Sequence, residues 1–129
     1  MRIWSFCFFV AAAAGTVGMA LGIGMGLSQD FSLTPAHAHL NLLGWVSMML
    51  YGLYYRGLEK PVGAFAWVQA ITATAGLVAM SGGLWLYLSA ASEAAKPIVV
   101  VGALLSIGSM LLFATGLVLN GGRRNGHGQ

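Results

Sequence analysis

Four long apolar runs constrain the fold of this chain more than any other feature. They cover residues 3–27, 36–55, 62–89 and 98–119, and each contains 20 or more residues. About 20 apolar residues are enough for a helix to cross the hydrocarbon core of a bilayer. Backbone groups in lipid must be hydrogen-bonded within the protein, and no run alternates polar and apolar residues as a membrane strand does. We therefore expect four transmembrane helices.

The low charge content supports this expectation. Only 7% of the residues are charged, whereas a soluble domain usually has about 25%. The first apolar run begins like a signal peptide, but it is longer than the usual ~7–15-residue apolar core. Short connections make successive helices antiparallel neighbours. The sequence thus predicts an all-α integral membrane protein, with a four-helix antiparallel bundle over residues 1–120 and a polar, flexible tail at 121–129.

The Lys and Arg residues are distributed unevenly between the two ends of these helices. One end carries five of them, namely Arg2, Arg56, Lys60, Arg123 and Arg124, and the other end carries Lys96. Because basic residues accumulate on the cytoplasmic side, we expect both termini in the cytoplasm and the protein in the inner membrane of a bacterium. No basic stripe with interleaved aromatic residues is present, so the bilayer, and not nucleic acid, is the expected partner.

A pair of histidines opens the second apolar run, in the stretch TPAHAHLNLLGW at residues 34–45. Thr34 and Pro35 are typical of a helix start, with threonine as the N-cap and proline at the first helical position. His37 and His39 then lie near the outer end of the helix. The helix N-terminus and apolar surroundings both disfavour a charged imidazole. The neutral form that results is the one that binds metals.

The spacing of the two histidines decides which site they can form. Residues two apart on a helix point about 200° apart, so His37 and His39 cannot easily share one small ion. Each can instead serve a different site or a different partner. Asn41 follows His37 by four residues and is a candidate partner for orienting it. Ionisable residues within membrane segments are usually functional, which favours a functional interpretation of the pair.

The run from His37 and His39 to Gly44 and Trp45 resembles the His-x-His-x4-Gly-Trp stretch of heme–copper oxidase catalytic subunits. The related nitric oxide reductases share the histidine pair. In that family the first histidine is the axial ligand of the high-spin, oxygen-binding heme, and the second ligates the low-spin heme. The resemblance implies that His37 and His39 are axial ligands of heme b. It makes Gly44 and Trp45 packing positions at the cofactor, beside Asn41.

The chain also departs from that family. The third histidine, His127, lies in the polar tail, and the carboxylates Asp30, Glu59 and Glu93 all lie in loops. A single chain therefore lacks the further histidines and the intramembrane carboxylate of a complete oxidase. The resemblance instead implies a heme protein for electron transfer or for binding O2 or NO. Such a protein would work as a homo-oligomer with a respiratory-chain redox partner.

A six-coordinate heme needs a second axial ligand from outside the histidine pair. A neighbouring protomer can supply a histidine, and methionine is a further possibility. Met19 and Met25 in the first run and Met80 in the third are the candidates, although methionines in such segments more often serve packing.

Two alternatives of other classes stay open. In one, the protein is an assembly factor for a respiratory oxidase, and His37 and His39 hold copper or zinc at the outer surface, with Met25 as a third donor. In the other, it is an accessory subunit without a cofactor, and the histidines only pack or bind lipid. The many small residues of the apolar runs have two interpretations as well. We favour close helix packing over the making of room for a flat cofactor.

Overall fold

The computed structural model describes residues 1–58 and 63–125, with side chains as far as residue 119. Four helical segments follow one another along the chain. Helix α1 is Ile3–Ser28, α3 is Ala64–Ser89 and α4 is Lys96–Asn125, preceded by a 3₁₀ turn at Glu93–Ala95. Helix α2 spans residues 34–56 in three parts: Thr34–His39, a π-helical stretch Leu40–Ser47, and Met48–Arg56. The described residues form no strand, so the predicted all-α class is confirmed.

Three of these segments are long and apolar enough to cross a membrane. They are Ile3–Ser28, Ala64–Ser89 and Glu93–Leu119, with mean hydropathies of 2.0, 1.4 and 2.3. Their outward side chains are apolar as well, for example Phe9, Val78 and Leu104, each more than 60% exposed. An exterior of this kind suits lipid and not water. The chain therefore has the make-up of a membrane protein.

Helices α1 and α2 run antiparallel. Gly22 near the end of α1 contacts His37 near the start of α2, and Cys7 near the start of α1 contacts Gly52 near the end of α2. We call the end of the bundle with His37 the histidine end, and the opposite end, where Tyr55 lies, the tyrosine end.

Helices α3 and α4 cross closely because their contact positions are small. A Cβ added at Gly102 would lie against the backbone of Met80, and one at Gly76 would lie 2.8 Å from the backbone nitrogen of Ser106. Small residues let membrane helices approach in this way, so close helix packing is confirmed at these positions. Among the described residues, five other glycines have no such neighbour within 4 Å, namely Gly24, Gly26, Gly63, Gly82 and Gly108.

The start of α2 differs from its predicted form. The helix begins at Thr34 itself, after Leu33, with Pro35 as its second residue. The Thr34 hydroxyl donates a hydrogen bond to the Phe31 carbonyl at 2.7 Å, and no side chain caps the helix. The prediction that Thr34 is the N-cap is therefore wrong, because its hydroxyl bonds backwards to the loop and does not accept from the first helical turn.

The end of α4 also differs. The helix continues to Asn125, whereas the last apolar run ends at residue 119 and the flexible tail was expected from residue 121. Residues 59–62, with Glu59 and Lys60, and residues 126–129, with His127, lie outside the described part of the chain.

The π-helical stretch in α2 was not foreseen from the sequence. Within it the Ser47 hydroxyl donates to the Leu42 carbonyl, five residues earlier, at 2.8 Å. Gly44 lies in the middle of this stretch and is buried, because a Cβ there would meet the Ala14 Cβ and, at 3.1 Å, Leu77. The wide turn is thus located where the backbone of α2 touches both α1 and α3. Such π-helical insertions are frequent at functional sites.

Candidate functional site

Three glycines of α1 form a groove that receives one face of α2. The pairs in contact are Gly22 with His37, Gly18 with Asn41, and Gly15 with Trp45. A Cβ at Gly22 would lie 2.9 Å from His37 Cε1, and one at Gly18 would lie 2.5 Å from Asn41 Nδ2. The three side chains of α2 follow each other at intervals of four residues. We call Gly15, Gly18 and Gly22 the glycine groove, and it fixes where the His37 ring lies.

His37 is held by a hydrogen bond between helices. Its Nδ1 lies 2.8 Å from the Gly18 carbonyl oxygen. A carbonyl can only accept, so Nδ1 carries the proton and Nε2 keeps its lone pair. The Asn41 amide donates to the His37 backbone carbonyl at 2.9 Å and lies 3.4 Å from Nδ1. Asn41 therefore lies beside the ring, as its spacing predicted, but Gly18 is the closer partner of Nδ1.

His39 makes the same kind of hydrogen bond within its own helix. Its Nδ1 lies 2.7 Å from the Pro35 carbonyl oxygen, one turn earlier. The proton is again on Nδ1, which leaves the Nε2 lone pair available. His37 bonds to α1 whereas His39 bonds to α2 itself, in line with the separation of about 200° that their spacing predicts.

Both histidines therefore have the chemistry of metal ligands. A metal-binding histidine typically donates its other ring N–H to a carbonyl or carboxylate, which fixes the tautomer and the ring orientation. No hydrogen bond to Nε2 of His37 or His39 is formed within the described part of the chain. The same part holds no group of three or more His, Cys, Asp or Glu side chains suited to one metal ion. The described residues of one chain thus offer these two separate nitrogen donors and no chelating cluster.

The donors have the chemistry of axial heme ligands, but the cavity between α1, α2 and α3 is too small to enclose a porphyrin. The cavity between α1, α2 and α3 has a volume of about 200 Å³, below the ~300–1,000 Å³ of pockets that enclose drug-sized ligands. It is lined by Ala36 and Leu40, which flank the histidines in sequence.

The other residues of the sequence motif serve packing. Gly44 lies between α1 and α3, and the half-exposed Trp45 ring covers Gly15. The three candidate methionines are scattered, since Met25 is buried, Met19 is exposed and Met80 lies where α3 meets α4. Within the described residues, none of their sulfurs forms a hydrogen bond with a histidine.

An acidic residue lies in the loop that precedes the histidines. The Asp30 carboxylate accepts a hydrogen bond from the Ser32 backbone N–H at 3.0 Å. This bond, aided by the Ser32 side chain, lowers the pKa of Asp30 below its ordinary value. The carboxylate is fully exposed and stays ionised at neutral pH, so the histidine end carries a negative charge beside its helix start.

A second polar cluster, which the sequence analysis missed, lies at the tyrosine end. The Tyr55 hydroxyl donates to Gln69 Oε1 at 2.8 Å, and Gln69 Nε2 donates to the Ser109 carbonyl at 3.5 Å. Gln69 is completely buried, and Tyr51, which packs in the same buried core as Tyr55, donates to the Met110 sulfur. We call Tyr51, Tyr55, Gln69 and Ser109 the tyrosine cluster. A single Gln in the third apolar run was the signal that could have revealed it.

Comparison with protein-family models, with curated proteins and with solved structures found no match to this chain.

Proposed function

We propose that the protein binds heme b through its histidine pair and works as a homo-oligomer in the inner membrane of a bacterium, with all four helices spanning the bilayer and both termini in the cytoplasm. Its role would be electron transfer or the binding of O2 or NO, with a respiratory-chain redox partner. The observation that supports this most is the pair of imidazoles at His37 and His39. Each donates Nδ1–H to a backbone carbonyl, and its Nε2 has no hydrogen-bond partner among the residues that the structure describes.

The two histidines differ in how well they suit this role. The His37 ring lies in the glycine groove, against Gly22 and bonded to Gly18. Within the described residues His39 bonds to the Pro35 carbonyl and to no group on another helix, so its ring is the freer of the two to face a second protomer. We therefore expect His39 to be the stronger heme ligand. A bound heme supplies a one-electron redox centre, or a position for a diatomic gas when one axial site is open.

The oligomer follows from the divergence of the donors. Because His37 and His39 point apart, one chain can place only one of them on a given iron. A symmetric pair of chains can place His39 of each on opposite faces of the same porphyrin. Two-fold arrangements of this kind are the commonest among homo-oligomers.

Heme content tests this proposal directly. The wild-type chain is expressed in heme-sufficient cells, and the ratio of heme to protein is measured after purification by the pyridine hemochrome method. We expect the heme-to-protein ratio of His39→Ala to be at least about tenfold lower than that of wild type. Loss of a metal ligand, or of the group that orients it, weakens metal binding by such a factor. The matched control is His127→Ala, which removes the histidine of the tail and should leave the ratio unchanged. Equal heme loss in both variants, or no heme in wild type, would contradict the proposal.

The same purified wild-type protein distinguishes the two alternatives, which are a metal-binding assembly factor and an accessory subunit without a cofactor. Copper or zinc without porphyrin, measured by elemental analysis, would indicate the assembly factor. The accessory subunit without a cofactor has one observation in its favour, the His37–Gly18 hydrogen bond, which joins α1 to α2 and can be purely structural. It predicts neither metal nor heme, and unchanged spectra when both histidines are replaced.

A further inference from the structure

Two arginines from different helices meet at one indole ring at the tyrosine end. The guanidinium carbon of Arg2 lies 5.9 Å from the centre of the Trp4 ring, and that of Arg56 lies 5.6 Å from the same centre. Arg2 directly precedes α1, and Arg56 is the last residue of α2. The antiparallel pairing of the two helices thus brings two positive charges to one place on the surface. We call Arg2, Trp4 and Arg56 the arginine surface.

The Trp4 ring gives the two arginines a fixed support. It is half-buried, packs against the core that contains Tyr55, and contacts Phe8 with 5.8 Å between ring centroids. A guanidinium within about 6 Å of an indole centre is attracted by the ring electrons. That attraction leaves the N–H donors of the guanidinium available for another acceptor. Both arginine side chains are exposed, so an acceptor outside the bundle can reach them.

No carboxylate neutralises the arginine surface within the described part of the chain. The one ion pair found there joins Lys96 to Glu93, just before α4 at the histidine end. Asp30 lies at the same end, in the loop that precedes α2. Glu59 and Lys60, which follow α2 outside the described residues, have formal charges that cancel. The arginine surface therefore has an excess of positive charge that an external anion can balance.

The position of the surface along α1 indicates which anions it meets. The 26 residues of α1 span about 39 Å, whereas the hydrocarbon core of a bilayer is about 30 Å thick and the whole bilayer about 40–45 Å. The start of a centred α1 thus lies about 4–5 Å beyond the hydrocarbon, within the headgroup layer. Tryptophan is enriched at this level, and the anions at this level are the phosphates of lipids.

We propose that the arginine surface is a binding site for the headgroup of an anionic phospholipid. The guanidinium groups donate N–H hydrogen bonds to phosphate oxygens, which arginine recognises through its planar arrangement of donors. A zwitterionic headgroup has the same phosphate but also a cationic group, which the two arginines repel. The surface therefore prefers headgroups with a net negative charge. It lies at the opposite end of the bundle from the histidines, and it does not depend on whether heme is bound.

Competition between two lipids that differ only in their headgroup tests the proposal. The full-length protein is placed in micelles with equal amounts of phosphatidylglycerol and phosphatidylcholine of the same acyl chains. Native mass spectrometry then measures the ratio of the two lipids that stay bound. We expect wild type to retain more phosphatidylglycerol. Arg2→Gln and Arg56→Gln should each lower the ratio about fivefold, the contribution of one basic residue at an anionic surface, and the double variant should lower it at least about tenfold.

Lys96→Gln is the matched control for the single arginine variants. It also removes a positive charge beside an aromatic ring, since Lys96 Nζ lies 5.3 Å from the centre of the Tyr87 ring, but at the histidine end. It should leave the lipid ratio unchanged. All three of these basic side chains are exposed, so the variants should keep the helix content of wild type, as measured by circular dichroism.

Added inorganic phosphate, at constant ionic strength, distinguishes a lipid headgroup from a soluble phosphate as the occupant. We expect the lipid ratio of wild type to persist, and displacement of phosphatidylglycerol by phosphate would overturn the assignment to lipid. Equal retention of the two lipids in wild type, an unchanged ratio in the double arginine variant, or an equal decrease in Lys96→Gln would overturn the proposal as a whole. Heme content plays no part in any of these measurements.

Discussion

The two polar clusters of the bundle differ in what they leave unpaired. In the tyrosine cluster, Tyr55 donates to Gln69, and Gln69 donates to the Ser109 carbonyl. At the histidine end, both Nδ1 atoms are bonded, but Nε2 of His37, Nε2 of His39 and the Ser81 hydroxyl have no partner in the described residues. Both clusters join helices, yet within the described residues the first completes its hydrogen bonds and the second leaves these three atoms without a partner.

The difference in unpaired atoms distinguishes the physical roles of the two polar clusters. Away from water, a polar network with all its hydrogen bonds made rigidifies a core, whereas an unpaired polar group carries a cost. The tyrosine cluster is also surrounded by aromatic rings, with Phe113 against Tyr51 and Tyr55 at 4.7 and 6.3 Å between ring centroids. We infer that the tyrosine end holds the helices together, whereas the proposed heme binding belongs to the histidine end.

The largest expected effect on stability is at Gln69. Gln69→Ala leaves the Tyr55 hydroxyl without its acceptor and opens a cavity in a completely buried position. We expect the free energy of unfolding in detergent micelles to fall by about 3 kcal/mol, with heme content per folded chain unchanged. Gln29→Ala is the control, because the Gln29 side chain is exposed and bonds to the nearby Gly26 carbonyl; its effect should stay within about 0.5 kcal/mol. Similar effects of the two substitutions would contradict a structural role for the tyrosine cluster.

An intermediate effect is expected in the glycine groove. In Gly22→Ala the added methyl would lie 2.9 Å from His37 Cε1, so the imidazole must move and its bond to Gly18 must lengthen. We expect a loss of about 1–2 kcal/mol in stability. The ¹⁵N shifts of His37 should also change. Gly24→Ala, two residues along and without a neighbour within 4 Å, should show neither effect. An unchanged His37 spectrum in Gly22→Ala would mean that the groove does not position this ring.

The smallest effect on stability is expected at Ser81, where the substitution should raise the free energy of unfolding and not lower it. Ser81→Ala removes a buried hydroxyl that has no partner among the described residues, so the protein should gain up to about 1 kcal/mol in unfolding free energy. Ser106→Ala removes a hydroxyl that is already bonded to Gly102 and should not stabilise. Thermal unfolding of both variants in the same detergent measures the difference. Destabilisation by Ser81→Ala would show that its hydroxyl is bonded after all, and would weaken the contrast between the two ends.

Much of the fold follows from apolar run length alone. The first run was expected at residues 3–27 and the helix is Ile3–Ser28; the third was expected at 62–89 and the helix is Ala64–Ser89. The π-helical stretch Leu40–Ser47 could not be predicted, because the same apolar residues also suit an α-helix. It arises where Gly44 brings the backbone of α2 against two other helices, which is a tertiary property.

The residues of the site could be predicted from the sequence, but the groups that hydrogen-bond to them could not. Helical spacing alone placed His37 and His39 on different faces and put Asn41 beside His37. The Gly18 carbonyl that holds the His37 ring belongs to another helix, and its position depends on how α1 and α2 pack. Ser81 gave no signal, because a serine in a membrane helix usually bonds to its own backbone. Only the packed helices show that this one does not.

The most direct test of heme binding at the histidine end is an absorption spectrum of the purified protein, first oxidised and then reduced with dithionite. With His39 as ligand and a second axial ligand from another chain, we expect a Soret band and sharp α and β bands on reduction. We expect these to be lost in His39→Ala and kept in His127→Ala. A flat spectrum above the protein absorption, from cells that contain ample heme, would contradict heme binding at the histidine end.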